Sequence, residues 1–145
     1  MAQPTDDKLL FALKAAIAGI TSPAVTVTLG AQLLANLPAN TVQLTPGTVT
    51  PDQAGGGKTR RHLMLIIGMA SRIVGAGTTT TEWVDVLTLC RAVVDQLGLA
   101  ATETAMRAAG AEQTRRSEMV LWVKPPGHDG SPAGGLLTVW IDWTE

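Results

Sequence analysis

The chain has 145 residues, a formal net charge of −1 and a pI near 6.1, a length that suits one domain with a core needing neither disulfides nor metal. The charge balance lacks the basic surplus that nucleic-acid binders carry. Hydrophobic residues make up 46% and charged residues only 16%, against roughly 25% charged in average soluble proteins; either neighbouring copies cover part of the surface, or a bias toward Ala and Gly accounts for the shortage.

The N-terminal segment, Met1 to Asp7, is acidic, which argues against a signal or transit peptide and for intracellular synthesis. Thr5 to Ile20 reads as a helix. Thr5 is its expected cap, Asp6 and Asp7 sit where the helix dipole favours negative charge, and Leu9, Leu10, Leu13, Ile17 and Ile20 fall at helical spacing. Gly19 and Ser22-Pro23 end it. Val25, Val27 and Leu29 then alternate with Thr26 and Thr28 as a half-buried strand. The Thr-rich stretch to Gly57, broken by Pro38, Pro46 and Pro51, reads as short strands and turns. A flexible loop is expected over about 52–61, where Gly55-Gly56-Gly57 has little to pack and Lys58, Arg60 and Arg61 concentrate positive charge.

Leu63 to Ile67 is a continuous apolar run of strand length after a glycine-rich segment, hence a central strand that can continue toward Val74. The whole apolar run to Ala70 falls well short of the roughly 20 residues that span a bilayer, so no membrane partner is expected. A second helix is expected from Glu82 to Leu97, capped by Thr81, with an apolar stripe of Trp83, Val86, Leu87, Cys90, Val94 and Leu97. Residues 101–117 are ambiguous, since Ala favours helix and Gly110 interrupts it. Met119 to Val123 reads as a strand, a Pro/Gly loop follows over about 125–135, and Leu137, Val139, Ile141 and Trp143 alternate with Thr138, Trp140 and Asp142 in a terminal strand pairing with it. The expected fold is a single small α+β domain over 1–145, with a mostly antiparallel sheet and two packed helices.

Catalytic and ligand-binding patterns fit poorly. Gly57-Lys58-Thr59 resembles the end of a phosphate-binding loop, but Asp52 stands where that motif needs its first Gly, and a strand rather than a helix follows. His62, His128 and Cys90 have no zinc-type spacing, and Cys90 lies on an apolar stripe where an inert thiol is usual. Cys90 is the one cysteine, so no internal disulfide forms. No Gly-x-Ser-x-Gly elbow is present, and Ser71, Ser117 and Ser131 have no sequence relation to either His; a triad assembled in space stays open. His128-Asp129 is a local acid–base pair in a turn-like setting. No catalytic, cofactor-binding or metal-binding residue is assigned, and a non-enzymatic role is expected. The candidate partner contacts are Lys58, Arg60, Arg61, Arg115 and Arg116, as docking cations or solvated loop charge, and Trp140, which shares a face with Asp142 outside the core pattern.

The order of these elements resembles the tail-terminator, or tail-completion, proteins of long-tailed bacteriophages. The helix over 6–20, the long loop over 53–61 before Leu63 to Ile67, the helix from Glu82 to Leu97 and the closing antiparallel segment from Leu136 to Trp143 carry the likeness. It is one of architecture and contains no diagnostic motif. The Ala-rich segment 101–117 and the long 125–135 loop depart from the family's pattern. The resemblance implies a homo-oligomeric ring, usually a hexamer, that caps the tail tube, meets the head-completion or neck protein, and lets DNA pass through its channel without sequence-specific binding. It places the chain in the tail–neck region of a virion, with the mobile loop ordering on the tube's last ring. Another connector subunit, a small cytoplasmic enzyme with a pocket around His62 or His128, and a bacterial adaptor domain are the alternatives.

Overall fold

A computed structural model describes residues 4–30, 40–73, 79–122 and 132–145. In chain order these form α1 (Thr5–Ala18), β1 (Thr26–Leu29), β2 (Thr41–Gly55), β3 (Lys58–Ile73), α2 (Thr79–Leu97), α3 (Ala100–Ala108), β4 (Gln113–Arg116), β5 (Val120–Trp122) and β6 (Pro132–Thr144). The sheet order is β1-β2-β3-β6-β4, with β5 also beside β6. Only β1 and β2 run parallel; every other pairing is antiparallel. The chain is therefore an α+β domain with a mostly antiparallel sheet, and among the described residues no helix is long and apolar enough to cross a membrane.

Alternation along the strands puts Val42, Leu44, Leu63, Leu65, Ile67, Met69, Leu137, Val139, Ile141 and Trp143 on one buried face. There they meet Leu9, Leu13 and Ile17 of α1, Val86, Leu89, Cys90 and Val93 of α2, and Met106 of α3. The central strand expected at Leu63–Ile67 is the middle of β3, which lies between β2 and β6. Helix α2 seats closely where β6 has glycine. A Cβ on Gly135 would lie 2.7 Å from Cys90 Sγ and 3.1 Å from Leu121 Cδ2.

Several expectations need correction. The segment 52–61, read as a loop, is hairpin: Asp52 pairs with Arg60 and Gln53 with Thr59, and Gly56 and Gly57 make the turn at φ +61° and +77°. Glycine permits positive φ at both turn positions, which is what a tight hairpin turn demands. The stretch read as short strands is the single strand β2, running through both Pro46 and Pro51. Its peptide groups explain this. Gly30 N donates to Leu44 O at 2.8 Å, so Leu44 directs its peptide group toward β1 and away from β3. A one-residue bulge at Gly47 shifts the register from Pro46↔Leu65 to Thr48↔Met64, so Pro46, Val49, Pro51 and Gln53 share that outward direction. Neither proline removes a ladder bond, because neither nitrogen faces β3.

Helix α1 is capped by Pro4, whose carbonyl accepts from Lys8 N at 3.1 Å, and not by the Thr5 side chain. Helix α2 begins three residues earlier than Glu82, and its buried stripe is Val86, Leu89, Cys90 and Val93; Leu87 is 52% exposed. The stripe expected from spacing was rotated by part of a turn. The ambiguous segment 101–117 resolves into α3 and β4, a third helix that the two-helix reading lacked. Gly110, at φ +116°, ends α3: Ala111 N bonds Met106 O at 3.0 Å and Gly110 N bonds Arg107 O at 3.0 Å. These are the paired bonds of a Schellman cap, closed by buried Met106 and Ala111. Most of the 125–135 loop lies outside the described residues; from Pro132 onward it is strand β6.

Candidate interaction site

Among the described residues, no helix covers the second face of the sheet. Register places Thr50, His62, Asp142 and Gln113 in one row across it, Thr48, Met64, Trp140 and Arg115 in the next, and Thr45, Ile66 and Thr138 in a third. Met64, Ile66 and Trp140 are half-buried, and Val120, farther along the face, is 61% exposed. This is an apolar centre with a polar and basic surround.

Asp142 is the electrostatic pivot. Its side chain is 4% exposed; Oδ1 lies 2.7 Å from His62 Nδ1 and Oδ2 lies 3.7 Å from Arg115 Nη2. Polar groups this shielded are costly to bury without such partners. Asp142 shares this face with Arg60 and Arg115. Three shielded polar atoms there, Thr28 Oγ1, Gln43 Nε2 and Arg60 Nε, find no hydrogen-bond partner among the described residues. Thr28 and Gln43 are register partners, and Arg60 lies beside Thr144 at the hairpin end.

The candidate contact residues therefore divide. Arg60, Arg115 and Trp140 gather on the uncovered face, and Lys58 stands exposed at the hairpin end. Arg61 points to the opposite face, where its Nε donates to Glu145 Oε2 at 2.7 Å. That bond, and then the Trp143 indole donating at 3.3 Å, hold the Glu145 carboxyl below the usual glutamate range. Arg116 also leaves the uncovered face: its Nη1 donates to Val94 O at 3.0 Å in the last turn of α2. That turn has no basic residue of its own, so Arg116 supplies the positive charge its dipole favours. Sequence reasoning missed the His62–Asp142 pair because the β3–β6 register joins residues 80 apart in the chain. The available signal was that each sits at a polar phase of an otherwise apolar alternation.

The arrangement offers little for covalent chemistry among the described residues. The Cys90 thiol is buried and pushed up to about 11 by that burial, the reverse of an activated nucleophile. Ser117 Oγ is engaged between Glu118 O at 2.9 Å and Thr138 N at 3.0 Å. Thr138 stands four residues from Asp142 on β6, or about 13 Å along the strand, so Ser117 is far from His62. A cleft of about 400 Å³ lies between α3 and β4, on the helix side of the sheet, and His62 does not line it. His128, Asp129 and Ser131 lie outside the described residues. Compared with known proteins, the chain matches no family model and no curated sequence.

Proposed function

We propose that this chain is a structural assembly protein, a ring-forming tail terminator that caps a phage tail tube and joins it to the head–neck connector. The observation that carries the reading is the uncovered sheet face, with Met64, Ile66 and Trp140 at its centre and Thr28, Gln43 and Arg60 bearing polar atoms that no described residue satisfies. Shielded polar atoms without partners cost free energy in an isolated chain, and a covering partner removes that cost. The order of elements in the resembled family, the sparse surface charge and the basic hairpin end support the same reading. In it, copies of the chain close a hexameric ring in the virion's tail–neck region, the neighbours are the tail-tube and neck proteins, and DNA passes without being read. Arg60, Arg115 and Trp140, with Lys58 at the hairpin end, are the contact residues; Arg61 and Arg116 serve mainly within the chain.

The test is mass measurement in solution followed by electron microscopy with purified tail tubes. Closed rings seated on tube ends are expected. A chain that stays monomeric at high concentration and ignores tube ends refutes the reading. A small enzyme is the second reading, favoured only by the His62–Asp142 pair, a geometry that orients an imidazole as a general base.

A further inference from the structure

The two edges of the sheet are not equivalent. On β2, the outward-directed positions beyond β1 are Pro46, Val49, Pro51 and Gln53, so two of four lack an N–H to offer. On β4 the alternation is open. Ser117 N donates to Thr138 O at 2.8 Å, which fixes residues 113, 115 and 117 as those facing β6. Thr114 and Arg116 therefore direct their N–H and C=O groups away from the sheet, and all four β4 residues are exposed. Beside this edge, on the helix side, lies the cleft of about 400 Å³, floored by Leu13, Leu97, Met106 and Val139 and bordered by α3.

We propose that the β4 edge and this cleft together form a strand-addition groove for an extended, acidic and apolar segment of a partner protein. A strand laid along β4 exchanges backbone hydrogen bonds with Thr114 and Arg116 at the normal spacing of about 4.8 Å. Its alternate side chains then point to opposite faces. Those on the helix side enter the cleft and meet the apolar floor; those on the other side meet Arg115, whose side chain is 56% exposed and lies 3.7 Å from Asp142. Charge selects the occupant. Pairing β4 with a second β4 would set Arg115 and Arg116 against their own kind, which is unfavourable between adjacent strands. A segment with carboxylates on the side away from the cleft complements Arg115, while apolar side chains suit the cleft, which Glu103 and Glu112 also border. The inference does not require ring formation: Arg115 also belongs to the uncovered face, but Thr114→Pro acts on the β4 edge alone and separates the two readings.

The experiment selects binders for the immobilised full chain from a random-peptide display library, maps the synthesised winners by amide hydrogen exchange, and uses a single-stranded oligothymidine as competitor. Thr114→Pro removes one outward N–H without touching a ladder bond, and its thermal melt checks that the fold survives. Arg115→Glu reverses the charge by an independent route. The expected result is enrichment of peptides alternating acidic and apolar residues, protection of the Thr114 and Arg116 amides, and roughly tenfold weaker binding in each folded variant. Enrichment without protection of these two amides, binding unchanged in both variants, no enriched peptide at all, or oligothymidine binding at this edge in place of peptide would each overturn the proposal.

Discussion

Gly135→Ala tests the close seating of α2 on β6. The added Cβ would lie 2.7 Å from Cys90 Sγ, 3.1 Å from Leu121 Cδ2 and 3.3 Å from Met119 Sδ, so three neighbours from α2, β5 and its approach must yield at once. A buried methyl forced into such a site costs about 1–3 kcal/mol, which lowers the melting temperature by about 4 °C per kcal/mol for a domain of this size. Cys90 makes the nearest contact, and replacing it isolates the cause. Cys90→Ala alone should destabilise by about 1 kcal/mol through the lost sulfur, whereas in the double variant the methyl occupies the vacated space. The double variant should therefore be more stable than the sum of the single effects by about 1 kcal/mol or more. Urea unfolding of the four proteins at one concentration measures this, fixed concentration being necessary if copies associate. A single Gly135 variant as stable as the parent, or strictly additive effects, would refute the packing argument.

Other consequences are checked as directly. Replacing Pro46 and Pro51 with Thr restores two outward N–H groups to the β2 edge and should raise aggregation on concentration, followed by light scattering, with little change in the melt. Trp140→Ala should dissociate the proposed assembly in sedimentation while leaving the monomer folded, since the side chain lies on the face opposite the core. Cys90 should resist a thiol reagent in the native protein and react fully in urea, as its burial and raised pKa require. Glu145 has a lowered folded pKa, so the stability it brings is present above the ordinary value of 4.5 and is lost as pH falls through the folded value; Glu145→Gln should flatten that part of the stability–pH curve.

How much of this could be read in advance depended on the range of the interaction. Where burial is one-sided and local, period alone was sufficient: Leu9, Leu13 and Ile17 mark the inner face of α1, and Leu137 to Trp143 mark β6 without ambiguity. On α2 the apolar residues encircle much of the helix, so spacing could not separate buried Leu89 and Val93 from exposed Val84 and Leu87. The prolines of β2 look like breakers until the direction of each peptide group is known, and that direction depends on the partner strand. Gly110 was visible as an interruption, but its role needed the two backbone bonds that close α3. The candidate site was the least legible part. Arg115 and Arg116 are adjacent in sequence and project to opposite faces, and the partners of Asp142 arrive through a register no local pattern encodes.

The same geometry constrains how copies of this chain can meet. Packing two uncovered faces across a two-fold axis would bring both sets of Arg60 and Arg115 into a shared, partly dry layer. Asp142, the carboxylate that register places among the rows of each face, is already engaged by His62 and Arg115 of its own chain. Charges gathered in that way lose hydration without gaining a counter-ion, which costs several kcal/mol per ion in a dry interface. A partner surface of different composition avoids the cost, and contact between two different surfaces of identical copies propagates by rotation until it closes a ring or grows as a filament. The β2 edge narrows the choice further, because Pro46 and Pro51 remove two of its four outward N–H groups and so weaken sheet extension there from copy to copy. Side-chain contacts on the faces, where about one interface hydrogen bond per 100–200 Å² is normal, remain as the other means of contact, and Thr28, Gln43 and Arg60 present polar atoms there.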